Sequence, residues 1–373
     1  METVPTEEEA AVTAAYPRDE MAQRLAQVIV SPELSIQDAL ERLEAAGTGV
    51  LLLAGADRVL FGVVSDGDMR RHFLSREPLT EPCSRIATRK PLVGRVGMSE
   101  ADILDLMDHG LDYAVNHVPI LTADGVIDSL MLREDLSVAA HPQMSAVIMA
   151  GGAGTRLRPL TEGTPKPMLP VGDRPLMERT LERLRGAGID RVSVTTHYLA
   201  DKITGHFGDG ERFGVHLEYV AEDRPLGTAG ALRLIQPPPT EPLLVINGDI
   251  LTAVDFQKLL AFHREHHADA TICVRKYDLE VPYGVIGCNG PFVRAIREKP
   301  MEQFLVNAGI YLLEPETLSR IPENERFDMT ELIQRLIDEN RRVVSFPIVE
   351  YWLDVGRLAD YERAQVDVEA ARV

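Results

Sequence analysis

The sequence predicts an α/β protein, in which a mostly parallel sheet with helices on both faces follows a smaller α+β region. From residue 145 onward, apolar runs of strand length alternate with segments of helical spacing. Before residue 141, the order helix, strand, strand, helix occurs twice, which indicates an internal repeat. With 373 residues, the chain has room for two or three domains.

The composition favours a globular protein and argues against nucleic-acid and membrane partners. A hydrophobic fraction of 45% and a charged fraction of 26% are ordinary for a globular protein. The net charge of -19 makes nucleic acid an unexpected partner. No apolar run approaches the roughly 18 residues of a membrane span, and the N-terminus has no signal pattern, so we expect a cytoplasmic protein with no membrane partner. Cys83, Cys273 and Cys288 lack metal-ligand spacing, and we expect them to be reduced core residues.

The N-terminal part begins with an acidic segment, 1–18, which we expect to be a mobile tail. The region that follows, 19–141, divides into halves near 24–80 and 81–141. Ser35 and Asp38 give a capping signal before the first helical pattern, and Ser99 and Asp102 repeat it in the second half. Taken alone, these acidic helix starts indicate N-caps of a small scaffold.

The same region resembles a tandem pair of cystathionine β-synthase-type (CBS) domains, which commonly bind adenine nucleotides and regulate an attached enzyme. The resemblance implies that Ser65 and Asp68, in GVVSDGD, face the phosphate and ribose of AMP, ADP or ATP. In the second half Asp135 is retained, but the hydroxyl position is Leu132, which cannot form a hydrogen bond. Two equivalent ligand sites are therefore not expected. The alternative is a dimerisation scaffold without a ligand.

The C-terminal region, 144–373, begins after the turn-prone HPQ at 141–143. Its predicted strands include SAVIMA, RVSVTT, HLEYV, LLVING and DATICV, and its predicted helices include 175–186, LADKITGHF and DFQKLLAFHREHH. Ligands of such sheets bind at the carboxyl ends of the strands. We expect His263, His266 and His267 to lie on a solvated helix face rather than at a metal. Asp328 and Glu331 have capping-box spacing and predict a helix start.

The stretch GGAGTRLRPLTEGTPKPMLPVG, residues 151–172, follows the first of these strands directly. Its glycines present backbone N–H groups that a polyphosphate can approach closely. Arg156 adds a charged fork, and Pro165 and Pro167 stiffen the chain around Lys166. The order of these residues predicts a triphosphate cradle. It is not a P-loop, because the GK[ST] ending is missing.

This stretch closely resembles the motif of sugar-phosphate nucleotidylyltransferases, which make nucleoside diphosphate sugars from a nucleoside triphosphate and a sugar 1-phosphate. The resemblance spans about 145–367 and continues through PLGTAGAL at 225–232, NGD at 247–249, REKP at 297–300, NAGIYLLEP at 307–315 and WLDVG at 352–356. It implies the nucleotide-diphospho-sugar transferase fold, a Rossmann-like mixed and mostly parallel sheet. The resemblance is strongest to members that form GDP-mannose or a GDP-hexosamine.

The resemblance also implies the site. Asp249 and Asp354 each follow an apolar run and would hold one Mg²⁺, which prefers oxygen ligands. Arg156 would bind the β- and γ-phosphates, and Lys166 would stabilise charge at the α-phosphorus. The nucleotide-binding set would be Gly151, Gly152, Gly154, Thr155, Glu222, Gly227 and Thr228. The sugar-phosphate set would be Gly284, Glu298, Lys299 and Asn307.

The nucleobase follows from Glu222, which aligns with the family position that meets the Watson-Crick edge. Guanine presents two adjacent donors there and a carboxylate only accepts, so GTP is the expected donor. The alternatives are a uridylyl- or thymidylyltransferase of the same family, or a non-catalytic sensor of nucleotides. The sugar stays open among mannose, a hexosamine, glucose and a heptose, and a homo-oligomer is expected.

Overall fold

The computed structural model describes residues 18–75, 77–111, 113, 115–136 and 144–370. These residues form two compact units. The first contains the described residues up to 136 together with Gln257–His267, and the second contains 144–256 and 268–370. Apart from Arg18, the expected acidic tail lies outside the described residues, as does the junction at 141–143. None of the helices in the described ranges is long and apolar enough to cross a membrane.

The first unit contains two similar halves, each with a three-stranded sheet. Its elements are α1 (Arg18–Val28), β1 (Ile29–Val30), α2 (Ile36–Ala46), β2 (Val50–Ala54), β3 (Leu60–Ser65), α3 (Asp66–Ser75), β4 (Gly94–Arg95), α4 (Glu100–His109), β5 (His117–Leu121) and β6 (Ile127–Leu132). In both sheets a short first strand pairs parallel to the second, and the second pairs antiparallel to the third. This is the internal repeat that the sequence predicts.

The caps of this unit follow the sequence signals. Ser35 accepts a hydrogen bond from the backbone N–H of Asp38, and Ser99 accepts one from Asp102, both at 3.1 Å. Such caps each stabilise a helix by about 1 kcal/mol. In the first half, α1 and α2 contact the fully buried strand β2, whose residues belong to the core of that half, whereas α4 contacts β5 in the second half.

The second unit is built around a seven-stranded sheet of order β11-β10-β7-β12-β17-β14-β18. Its elements, in chain order and including α8, most of which belongs to the first unit, are β7 (Ser145–Met149), β8 (Pro170–Val171), β9 (Arg174–Pro175), α5 (Leu176–Gly186), β10 (Arg191–Thr196), α6 (Ala200–Phe207), β11 (His216–Ala221), α7 (Gly227–Gly230), β12 (Leu243–Asn247), β13 (Ile250–Thr252), α8 (Phe256–Glu265), β14 (Ala270–Glu280), β15 (Val285–Asn289), β16 (Phe292–Arg297), β17 (Met301–Leu313), α9 (Met329–Asp338), β18 (Val343–Pro347), β19 (Trp352–Asp354) and α10 (Leu358–Glu369).

Strand β17 is antiparallel to both of its neighbours, and the other pairs of the sheet are parallel. Residues 243–246 of β12 are at most 2% exposed, so both faces of the strand are covered, as is usual in a parallel sheet. After β7 the chain forms β10 and then β11 on one side of β7, and it then crosses to the other side of β7 to form β12. The reversal creates a crevice at the carboxyl ends of β7 and β12, where ligands of such sheets bind.

Two expectations about individual side chains are wrong. Cys83 and Cys273 are buried, but Cys288 is exposed, because it lies on the hairpin β15–β16, which stands away from the core. His263 is only 1% exposed, because it lies on the buried side of α8, whereas His267 follows the end of that helix and is exposed. Within the described part of the chain, no group of three or more His, Cys, Asp or Glu side chains is arranged so that it could hold a metal ion.

Candidate active site

A cavity of about 390 Å³ lies at the crevice between the carboxyl ends of β7 and β12. It is lined by residues from the glycine-rich stretch, the PLGTAG stretch and the NGD stretch, together with Gly356. The lining residues are Met149, Ala150, Gly151, Gly152, Gly154, Thr155, Arg156, Lys166, Pro167, Thr195, Glu222, Pro225, Gly227, Thr228, Asn247, Gly248, Asp249 and Gly356.

The pairing of two short strands brings Asp249 and Asp354 together. Strand β13, directly after Asp249, pairs antiparallel with β19, so that Ile250 lies opposite Asp354. The backbone N–H of Val355 donates to the carbonyl oxygen of Asp249 at 2.9 Å. Burial raises the pKa of Asp354, the charge of Asp249 raises it further, and Lys166 opposes both effects. The two carboxylates are therefore electrostatic neighbours although they are far apart in the sequence.

These two carboxylates fit a hard divalent cation. Oδ1 of Asp249 and Oδ1 of Asp354 are both buried, and neither accepts a hydrogen bond from any described residue. A buried carboxylate oxygen without a partner is costly unless a cation or another donor meets it. Two oxygens of this kind suit Mg²⁺, which takes one or two carboxylates and completes its shell with phosphate oxygens and water.

Lys166 and Arg156 supply the positive charge of the site. Lys166 is 9% exposed and begins a single helical turn after Pro165, and its ammonium pairs with Oδ2 of Asp249. The backbone N–H of Met168 closes that turn on the carbonyl of Pro165 at 2.8 Å. Arg156 lines the same cavity, is exposed and makes no hydrogen bond within the described ranges. The ammonium group of Lys166 is thus held at the carboxylates, whereas the guanidinium group of Arg156 is accessible to a ligand.

Glu222 lies against Gly151, the first glycine of the glycine-rich stretch. A Cβ at Gly151 would be 2.5 Å from Oε1 of Glu222, so any larger residue at position 151 would displace this carboxylate. Oε2 accepts the backbone N–H of Leu226 at 2.9 Å, and His197 contacts the backbone carbonyl of Glu222 through Nδ1 at 2.8 Å. Burial raises the pKa of Glu222, and the Leu226 N–H partly offsets this. Glu222 is therefore a buried acceptor at the cavity wall.

The residues expected to bind the sugar phosphate do not line this cavity. Gly284 and Glu298 lie close together, since a Cβ at Gly284 would be 3.1 Å from Oε2 of Glu298. Lys299 follows with a positive φ of 42°. Asn307, on β17, accepts the N–H of Gly309 and donates to the hydroxyl of Tyr311. Their role in binding sugar phosphate stays a prediction.

Some of the residues that line the cavity were not expected there from the sequence alone. Asn247 lines the cavity directly before Gly248 and Asp249, and its place at the end of an apolar run was the signal that could have identified it. Pro225, the first residue of the PLGTAGAL motif, also lines the cavity, and so does Thr195, for which the sequence carried no comparable signal. Asp354, which the resemblance implies as a metal ligand, does not line the cavity. The register of β13 with β19 places it beside Asp249, and a Cβ at the lining residue Gly356 would be 3.3 Å from its Oδ1.

A second group of charged residues lies in the first unit around Asp68. Oδ2 of Asp68 accepts the N–H and the hydroxyl of Ser65, at 2.8 and 2.7 Å, while Ser65 caps α3 in return at 3.2 Å. Oδ1 of Asp68 pairs with Arg71 at 2.6 Å, and Arg71 also pairs with Glu265. Burial lowers the pKa of His117 to about 4, against the opposing charge of Asp68.

Asp135 occupies the equivalent position in the second half, with different partners. It accepts the backbone N–H of Leu132 at 2.9 Å and pairs with both terminal nitrogens of Arg24. Leu132 itself is 5% exposed and packs in the core. The two halves therefore each present a buried carboxylate that is held by an arginine, but only the first adds a hydroxyl group.

The family model described as "Nucleotidyl transferase" matches residues 145–371, which is more than half of the chain. The chain belongs to the nucleotidyl transferase family. The model of the CBS domain matches residues 23–75, the first half of the N-terminal unit. The family assignment therefore covers the unit that contains the cavity, and the CBS match covers the half that contains Ser65 and Asp68.

Two curated relatives of this family differ in the nucleotide that their names give. A mannose-1-phosphate guanylyltransferase of Mycobacterium tuberculosis is 33% identical over 239 residues, which cover 62% of this chain and 66% of the relative. A UTP–glucose-1-phosphate uridylyltransferase of Synechocystis is 36% identical over 242 residues, which cover 59% and 62%. The chain thus spans less than two thirds of these relatives' lengths, and family membership leaves the nucleobase open.

A solved structure from Bacillus anthracis, assigned as a glucose-1-phosphate thymidylyltransferase in complex with a sucrose, shares the fold. Its TM-score is 0.50 at 25% sequence identity, and the match covers 60% of this chain and 94% of that one. The fold of the second unit is therefore that of the nucleotidylyltransferases, as the sequence predicts.

Proposed function

We propose that this chain transfers a nucleoside monophosphate from a nucleoside triphosphate, preferentially GTP, to a sugar 1-phosphate. A phosphate oxygen of the sugar 1-phosphate attacks the α-phosphorus, the new oxygen–phosphorus bond forms, and the bond to the β-phosphate breaks so that pyrophosphate leaves. The attacking oxygen is already ionised at neutral pH, so the reaction needs no general base. The chemistry consists of positioning and charge neutralisation.

The residues of the cavity divide this work. Arg156, which is accessible, binds the β- and γ-phosphates, and Lys166 stabilises the charge that develops at the α-phosphorus. Backbone N–H groups of the glycine-rich stretch hold the phosphates closely. Asp249 and Asp354 would hold Mg²⁺, which when bound supplies Lewis-acid stabilisation of the phosphate oxygens.

One observation carries the proposal: Oδ1 of Asp249 and Oδ1 of Asp354 are buried without hydrogen-bond partners in the described ranges. Asp249 lines the cavity with Lys166, and Asp354 lies directly behind Gly356, which also lines it. A test is a matrix of GTP, UTP, dTTP and ATP against mannose, glucose, hexosamine and heptose 1-phosphates, with pyrophosphate release as the readout. The expected result is turnover with GTP and one or more of the sugars. Binding of nucleotides without turnover in every combination would instead support a non-catalytic sensor.

The preference for GTP is supported by the acceptor character of Glu222. The carboxylate can accept both N1–H and the amino group of guanine, whereas uracil and thymine present one N–H between two carbonyls. Since one relative is a guanylyltransferase by name and another a uridylyltransferase, the family match does not favour either base. Exclusive use of UTP or dTTP would refute this part of the proposal.

For the first unit we propose that an adenine nucleotide binds at Ser65 and Asp68 and adjusts turnover. Arg71 supports this proposal, because it is 38% exposed and can turn from the carboxylate of Asp68 toward a phosphate. That movement would also change its pairing with Glu265, and the segment Gln257–His267 follows soon after Asp249 in the chain. Nucleotide binding at Asp68 would therefore act on Asp249 through the short stretch of chain between Asp249 and Gln257.

Calorimetric titration of the full chain with AMP, ADP and ATP tests this binding. Arg71→Ala should weaken it about tenfold, in keeping with the loss of a charge-assisted hydrogen bond. Arg85→Ala is the matched control, since Arg85 pairs with Glu81 on the surface of the same unit. No heat of binding with any of the three nucleotides would favour the dimerisation scaffold instead.

A further inference from the structure

The PLGTAG stretch is held by a segment that follows it far along the chain. Thr228 donates its backbone N–H to Oδ1 of Asp328 at 3.1 Å, across 100 residues of sequence. Ala229 and Gly230 donate theirs to the carbonyl of Phe327 at 3.0 and 2.9 Å. Three successive N–H groups are therefore bound to protein acceptors, and a ligand would have to displace those acceptors to use them.

Hydrogen bonds also run in the opposite direction between the two segments. The N–H of Phe327 donates to the carbonyl of Leu226 at 2.8 Å, and the N–H of Met329 donates to the hydroxyl of Thr228 at 2.8 Å. Gly227 has a φ of +81°, and a Cβ there would be only 2.6 Å from Oδ1 of Asp328. The contact is thus close and reciprocal, and it requires glycine on one side.

Asp328 is itself fixed by the helix that it begins. It is the N-cap of α9, and Glu331 accepts the backbone N–H of Asp328 at 2.7 Å to complete a capping box. Met329 and Leu332 of this helix are at most 1% exposed and belong to the core of the second unit. The carboxylate that meets Thr228 is therefore attached to a rigid element.

This arrangement separates the roles of the two loops at the cavity. Gly227 and Thr228 line the cavity, yet the N–H groups of 228–230 are already occupied. An anion cradle needs free N–H donors. In the glycine-rich stretch after β7, the N–H groups of Gly151, Gly152 and Gly154 donate to no acceptor within the described residues. The PLGTAG stretch can therefore contact the nucleoside but is a poor phosphate cradle.

We propose that Asp328 is a positioning residue for the nucleoside triphosphate, which acts by holding Gly227 and Thr228 in place at the cavity wall. The inference rests on the proposed nucleotidyl transfer and adds a residue to it. A loosened PLGTAG stretch should weaken nucleotide binding, while the sugar 1-phosphate and the reacting phosphates should be little affected.

Two substitutions that retain an N-cap test this proposal. In Asp328→Ser the cap is kept, but the side chain is too short to reach Thr228, and in Asp328→Asn a neutral, weaker acceptor remains. We expect KM for the nucleoside triphosphate to rise about 5- to 30-fold in the serine variant and about 2- to 5-fold in the asparagine variant. The kcat and the KM for sugar 1-phosphate should stay within twofold of the wild type.

Glu331→Ala is the matched control, because it removes the other half of the capping box and leaves the carboxylate of Asp328 in place. Its melting temperature should fall, but its KM for nucleotide should not change. A wild-type KM in the asparagine variant would overturn the proposal even if the serine variant failed to fold, and so would an equal rise in KM in Glu331→Ala. Absence of turnover in the wild type would instead overturn the proposed function itself.

Discussion

Replacing Glu222 with glutamine should lower the use of GTP. In the wild type, one carboxylate oxygen accepts the N–H of Leu226 at 2.9 Å, and the other lies beside Gly151 at the cavity wall. A glutamine has one oxygen and one NH₂ group, so either the Leu226 N–H or the guanine edge must face a donor. A buried donor without an acceptor costs about 1–3 kcal/mol, which corresponds to a decrease of about 5- to 150-fold in kcat/KM.

The assay compares kcat/KM for GTP and for UTP, with pyrophosphate release as the readout and the preferred sugar 1-phosphate at saturation. The ratio should move toward UTP in Glu222→Gln, because an amide can donate to a uracil carbonyl. Glu218→Gln, on the exposed side of the same strand, is the control and should keep the wild-type ratio. An unchanged ratio in Glu222→Gln would refute the assignment of Glu222 to the base.

Three further outcomes follow from the structure. Lys166→Ala should lower kcat by about 10²-fold or more at unchanged circular dichroism, and a loss below tenfold would contradict its role at the α-phosphorus. Asp354→Asn should raise the Mg²⁺ concentration for half-maximal turnover at least tenfold, and chelation should abolish turnover of the wild type. Because the pKa of His117 is about 4 in the folded state and near 6.5 when unfolded, the unfolded state binds the extra proton as the pH falls between these values. The free energy of unfolding of the wild type should therefore fall by about 3 kcal/mol more than that of His117→Gln between pH 7 and pH 4, and parallel curves from denaturant titrations would contradict this.

The parts of the fold that the sequence predicts are those with local causes. Ser35, Ser99 and Asp328 cap helices where the spacing of their acidic partners indicates, because a cap is complete within four residues. Strand β7 and the glycine-rich stretch are likewise recognised from adjacent residues. Lys166 and Asp249 meet at the cavity because both follow elements that end at the same edge of the sheet.

The parts that the sequence does not predict depend on contacts between distant segments. Nothing local to β17 indicates that it lies antiparallel between β12 and β14. The burial of His263 and the exposure of Cys288 reverse the expectations because each depends on what packs against its element, and periodicity alone does not show this. The sequence likewise does not predict the contact of Asp328 with Thr228, because the capping-box spacing of Asp328 and Glu331 indicates only a helix start.

The charges of the site indicate how its parts depend on one another. Arg156 and Lys166 balance Asp249 and Asp354, so a triphosphate with its roughly four negative charges needs a further cation. Lys166 pairs with Oδ2 of Asp249 and thereby competes with a metal for that carboxylate. Lys166→Ala should therefore bind Mn²⁺, as a probe for Mg²⁺, more tightly than the wild type in the absence of nucleotide, although its turnover is lower. Lys202→Ala, which removes an exposed lysine of the same unit, should leave Mn²⁺ binding unchanged. Weaker Mn²⁺ binding in Lys166→Ala, measured by calorimetry, would mean that Lys166 orients the carboxylate for the metal instead of competing with it.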